Sequence, residues 1–102
     1  MEKHIVHYGP VAEALATFRE QGYTTDFTMD TDGITWKGGR YMPEELKIVD
    51  MYRYEGDSDP DEEASVYALV SREGVKGTLV TGYGISAETS YQQLLERLEW
   101  KE

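Results

Sequence analysis

The chain has no cysteine, which excludes disulfides, thiolate catalysis and every zinc site built on thiolate ligands. It is also short of positive charge: ten Lys and Arg stand against twenty Asp and Glu, a net charge of −10. Such a charge repels phosphate backbones and anionic lipid surfaces over about a Debye length, ~8 Å at physiological salt, so neither nucleic acid nor a membrane is an expected partner. No uncharged apolar run approaches the ~20 residues of a membrane span, and the opening MEKHIVHYGP has no apolar stretch long enough for a signal peptide. The expectation is a cytoplasmic protein of bacterial type.

What is present suits one globular domain over residues 1–102, because two domains would leave neither half enough apolar surface to bury. Eight Tyr, two Trp and two Phe supply large side chains for a core.

Val11, Ala14, Leu15 and Phe18 recur at helical spacing between Pro10 and Gly22, which predicts a helix over 10–21. The period then changes to two. Tyr23, Thr25, Phe27 and Met29 alternate with polar residues, Asp30-Thr31-Asp32-Gly33 reads as a hairpin turn, and Ile34-Thr35-Trp36 is the return strand. Residues 38–46 read as a connection with one helical turn at Pro43. Strands follow over 47–55, 64–71 and 75–83; in the first of these Ile48, Asp50, Tyr52 and Tyr54 share a face, and both faces of the first two carry apolar groups. Thr89 or Ser90 with Gln92 or Gln93 three residues on caps a last helix through Leu94, Leu95 and Leu98, ending near Trp100. The strands are consecutive and their connections short, which points to an α+β fold: two layers, an antiparallel sheet of about five strands, and the N-terminal and C-terminal helices on one face.

The sharpest local bias is Asp57-Ser58-Asp59-Pro60-Asp61-Glu62-Glu63, five acids in seven positions. Asp at positions one, three and five imitates a calcium loop, but position six is Glu62 instead of Gly and position twelve is Ala68 instead of Glu. No metal site is therefore assigned. A crowded polar loop keeps its carboxylates wet, which also argues against acid-base catalysis. His4 and His7 lack a third ligand and read as part of a fraying terminus. Gly74-Val75-Lys76-Gly77-Thr78 lacks the full phosphate-loop pattern and is followed by a strand, so Gly77 marks a place where another group packs close. No cofactor is implied. Tyr52, Tyr54, Tyr67 and Tyr83 could form one aromatic band across adjacent strands, in the core or lining a groove.

Gly22-Tyr23-Thr24-Thr25-Asp26-Phe27, Tyr52-Arg53-Tyr54-Glu55-Gly56, Ser58-Asp59-Pro60, Tyr67-Ala68, Lys76-Gly77 and Tyr83-Gly84 carry a resemblance. Across Leu15 to Ile85 the chain resembles small bacterial proteins of about a hundred residues that bear the label phosphoribosylpyrophosphate synthetase. The resemblance implies a family without an established activity. Adjacent acids followed by a Thr- and Gly-rich phosphate loop, which that enzyme's chemistry needs, do not occur here.

Two functions fit these residues. The first is a non-enzymatic, acidic partner-binding or regulatory module, meeting a protein partner or a second copy of itself across an uncovered sheet face that holds some of Tyr52, Tyr54, Val66, Val70 and Val80. The alternative is a small-ligand binder or enzyme built from Arg53, Glu55, Asp57, Ser58 and Asp59 with Tyr83 at a strand end, which requires a concave site of roughly 300 Å³ or more. For the acidic loop the expected outcome is that calcium or magnesium binds no tighter than about millimolar. A calcium titration followed by amide NMR shifts checks this, and micromolar saturation confined to residues 55–64 would reveal a site.

Overall fold

The computed structural model describes residues 6–30, 32–54, 64–82 and 89–101. In chain order these form β1 (Val6–Tyr8), α1 (Val11–Glu20), β2 (Thr25–Asp30), β3 (Gly33–Trp36), β4 (Gly39–Tyr41), a 3₁₀ turn (Pro43–Glu45), β5 (Leu46–Tyr54), β6 (Ala64–Ser71), β7 (Lys76–Gly82), α2 (Thr89–Glu96) and β8 (Glu99–Trp100). The strands join in one sheet in the order β1-β5-β6-β7-β2-β3-β4, and β8 lies against β5. Pairs β5–β6, β6–β7, β2–β3 and β3–β4 are antiparallel, whereas β1–β5, β2–β7 and β5–β8 are parallel.

This corrects the expected five-strand antiparallel sheet with both helices on one face. Among the described residues there are eight strands in a mixed sheet. The three unexpected strands, β1, β4 and β8, are two or three residues long, too short to display a period of two. Helix α1 carries the chain from β1 across β5, β6 and β7 to β2, a helical crossover of the kind that joins parallel strands, and α2 stands in the same place before β8.

Helix α1 forms and stops as its sequence requires. Ala14 and Phe18 are buried on its inner face. Gly22 takes φ +100°, a left-handed conformation that lets its N–H reach Arg19 O at 3.1 Å and the Tyr23 N–H reach Phe18 O at 2.9 Å. The same turn sets the Tyr23 ring edge-on to Phe18, centroids 6.1 Å apart.

The helices do not share a face, and β6 is apolar on both. Val66 and Ala68 pack with Ala14, Phe18 and Tyr23 of the α1 layer. Leu69, on the other side, packs with Phe27, Ile34, Tyr41, Leu46, Ile48, Leu79 and Leu98, with Leu95 of α2 against them. An apolar row on each face demands cover on each face. Of the residues expected on an uncovered sheet face, Tyr52, Val66 and Val80 lie in the α1 layer.

Cover for the second face comes from the sheet itself. From Tyr41 at the end of β4 to Leu46 at the start of β5 the chain takes five residue steps, at most about 18 Å fully extended and less through a 3₁₀ turn. In a flat sheet those strands would be five spacings apart, about 24 Å. The sheet therefore curls, with the second cluster inside the curl and α1 outside. Tyr41 Oη donates to Glu73 Oε1 at 2.6 Å, fastening β4 to the β6–β7 turn, and Arg97 grips Glu44 with Nε and Nη2 at 2.5 and 2.6 Å, fastening the end of α2 to the 3₁₀ turn.

One irregularity reassigns the faces of β5. Ile48 pairs with Leu69 and Asp50 with Ala68, so Val49 is an extra, bulged residue. Ile48 consequently faces the inside of the curl while Asp50 and Tyr52 face α1, and the single face expected for Ile48, Asp50 and Tyr52 is divided. At Gly77 a methyl group would lie 2.3 Å from Thr25 O and 2.7 Å from Phe27 Cε2, which is the close packing expected there.

The two glycines of this region separate packing from backbone strain. Gly77→Ala is expected to cost about 3 kcal/mol by overpacking the β2–β7 contact, whereas Gly74→Ala, at φ +91° with open space around it, should cost about 1 kcal/mol. Urea unfolding midpoints at unchanged m-value measure both.

Candidate functional site

At the end of the sheet where β5 and β7 finish, the strand registers align side chains from four strands. Tyr8 of β1 is opposite Arg53 of β5, Arg53 opposite Ser65 of β6, and Ser65 opposite Thr81 of β7. Paired residues share a face, so Tyr8, Arg53, Ser65 and Thr81 form one row on the inner face of the curl. The next row inward holds Met51, Tyr67 and Leu79. The row runs from wet to dry: Tyr8 is 72% exposed and Thr81 is 5% exposed, with Arg53 exposed and Ser65 half-buried between them.

Tyr67 is the polar centre behind the row. Burial pushes its phenol above the ordinary value of 10.0, while hydrogen bonding with Ser65, the charge of Arg53 and hydrogen bonding with Thr81 pull it partly back. A guanidinium, four hydroxyls and two aromatic rings at one strand end can hold a polar or anionic group against an aromatic surface.

Of the residues singled out from the sequence, Arg53 lies in this row. Glu55, Asp57, Ser58, Asp59 and Tyr83 fall outside the described residues, as does the rest of the acidic loop. The tyrosines do not form one band: Tyr52 faces α1, edge-on to Phe18 at 5.4 Å, and Tyr67 is on the opposite face. Cavities lie against the sheet among the described residues. One, of about 240 Å³, lies between Leu15 of α1 and Asp26, Thr28, Thr78 and Val80 of β2 and β7. Another, of about 410 Å³, lies at the far end of β5 between Glu44, Glu45, Lys47, Val70, Arg72 and Lys101. Neither is lined by Arg53.

Sequence reasoning missed Tyr8, Ser65 and Thr81, which join Arg53 only through register, and it misjudged His7. His7 belongs to β1. Its Nε2 lies 3.1 Å from Asp50 Oδ1, which also accepts the Met51 N–H at 2.9 Å, and its ring tilts against Tyr52 at 4.9 Å. These contacts hold the short β1 strand to β5. The one available signal was apolar Val6 and Tyr8 on either side of His7, too brief to count as alternation. Among the described residues no group of three or more His, Asp or Glu is placed to hold a metal ion, and no helix is long and apolar enough to cross a membrane. Comparison of the chain with protein-family models, with curated proteins and with solved structures finds no match.

The raised Tyr67 phenol has a direct consequence at alkaline pH. The folded state favours the neutral form, so the stability it contributes is complete below about pH 10 and declines as pH rises through the folded-state value. Ser65→Ala removes a group that stabilises the phenolate, so Tyr67 should titrate at still higher pH in that variant. Carbon-13 NMR of the Tyr ring, with Tyr67→Phe identifying the resonance, measures the change.

Proposed function

We propose that the protein is a non-enzymatic partner-binding module whose contact surface is the Tyr8–Arg53 end of the sheet. The observation that carries the reading is the row itself: an exposed Tyr beside an exposed Arg, with half-buried Met51 behind them on the same face. Tyr, Arg and Met are the residues over-represented at interface centres, and Tyr and Arg are over-represented among the few side chains that dominate binding energy. Tyr8 contributes a large contact area with little rotamer entropy to lose, and Arg53 contributes a planar donor array that suits carboxylates and backbone carbonyls.

The partner is a protein, and the net charge of −10 favours one that presents a basic surface around the contact, because like charges across an interface are repelled before they meet. The resemblance to small bacterial proteins labelled as phosphoribosylpyrophosphate synthetases belongs to this reading as kinship alone, since it brings no activity with it.

Capture experiments with the immobilised chain test the proposal. Proteins retained by the wild type are identified by mass spectrometry and their affinities remeasured with Tyr8→Ala and Arg53→Ala variants whose melting temperatures match the parent. Each substitution should weaken binding about thirtyfold, as loss of a dominant interface side chain does. Unchanged affinity in both variants would move the contact surface elsewhere.

A further inference from the structure

At the opposite end of β5 the chain's scarce cations are gathered by elements far apart in sequence. Lys47 opens β5, Arg72 sits in the β6–β7 turn and Lys101 follows β8, and all three line the cavity of about 410 Å³. This is three of only ten Lys and Arg in a chain with twenty acids, collected at one concave place whose volume falls in the range of small-ligand sites.

The scaffold under these side chains is fixed. Lys47 pairs with Val70 on one side and with Glu99 on the other. The Arg72 N–H donates to Glu45 O at 3.0 Å and the Lys101 N–H to Ile48 O at 2.8 Å. Each cation is therefore carried on a backbone held by hydrogen bonds at the lining of the cavity.

Two carboxylates share the wall, and both have other work. Glu44 takes the two-point contact from Arg97, and that guanidinium holds its carboxyl below the ordinary carboxylate value. Glu45 Oε2 accepts the Met42 N–H at 2.9 Å, closing the 3₁₀ turn. Lys47 does have a carboxylate in range, Glu99, but at 3.8 Å between exposed side chains, a contact that holds little energy. Arg97 offsets the charge of Glu44 while Glu45 keeps its own, so the wall carries three cations against one uncompensated carboxylate.

We propose that this cavity is a binding site for a small polyanion, a molecule carrying two or more phosphate or carboxylate groups, gripped between Lys47, Arg72 and Lys101. Three cations carried on three segments can divide between two anionic groups of one molecule, and Arg72 supplies the two-pronged donor that matches either group. The site is distinct from the Tyr8–Arg53 surface and does not depend on it. The overall charge of −10 lowers the encounter rate, but inside the cavity the nearest charges lie well within a Debye length and dominate.

Amide NMR titrations of the full chain with inorganic pyrophosphate and, separately, with citrate test this at constant ionic strength. Saturable shifts at residues 46–48, 71–73 and 100–101 are expected. A response to pyrophosphate alone identifies a phosphate site, to citrate alone a carboxylate site, and to both a site read by charge and reach. Arg72→Ala and Lys101→Ala should each weaken binding about tenfold, as loss of a hydrogen bond to a charged group does, while Lys37→Ala, in the exposed β3–β4 turn, should leave it unchanged. No saturable shift with either probe, or equal weakening by Lys37→Ala, overturns the proposal.

Discussion

The structure depends on a short piece of chain. Because Met42 to Glu45 is all that joins β4 to β5, two strands at distant positions in the sheet order must come close in space, and only a curled sheet allows it. The curl encloses one core, lined by Phe27, Ile34, Tyr41, Leu46, Ile48, Leu69 and Leu79. It leaves the outer face of β6 to be covered separately by α1. Trp36 and Tyr41, stacked 5.8 Å apart at 5°, form a flat aromatic wall at the curled side, with Phe27 edge-on to both. The contacts Tyr41–Glu73 and Arg97–Glu44 latch a shape that chain length has already imposed.

Strand β5 is the hub of this arrangement. One long edge pairs with β6 over nearly its whole length, while the other is shared end to end by β8 at Lys47–Ile48 and β1 at Met51–Arg53. The bulge at Val49 lies between those two short partners and rotates the strand, so that Leu46, Ile48, Met51 and Arg53 all address the inside of the curl. Both candidate sites are consequences. Arg53 comes into line with Tyr8, Ser65 and Thr81 at one end, and Lys47 joins Arg72 and Lys101 at the other. A strand that accepts neighbours from the start, middle and end of the chain gathers side chains that no local motif could assemble.

The acidic character acts on association and leaves the fold largely alone. Among the described residues, Asp30 caps the hairpin turn through the Asp32 N–H at 2.8 Å and holds Arg40 at 3.1 Å, Asp50 pairs with His7, and Glu44 pairs with Arg97. These pairs are exposed or half-exposed, where ion pairs contribute about 0–1 kcal/mol. Burial of the two apolar clusters therefore dominates stability, and charge decides what the surface meets.

By itself the sequence determined every element long enough to show a period. Helix α1 with its Gly22 stop, strands β2, β3, β5, β6 and β7, and the start of α2 are each written in spacing that hydrophobic burial and backbone geometry convert directly into structure. It also carried the clue to two-sided cover, in the apolar residues on both faces of β6, although the expectation of helices on one face set that clue aside. Tertiary structure alone decided the rest. Strands of two or three residues exist only because an edge was waiting for them. Parallel pairing followed from where α1 and α2 cross, and the bulge at Val49 is visible only against the register of β6. Arg53 was legible as a candidate, but its neighbours Tyr8, Ser65 and Thr81 were not, because register is a relation between distant segments: burial of one face sets it, and no single segment encodes it.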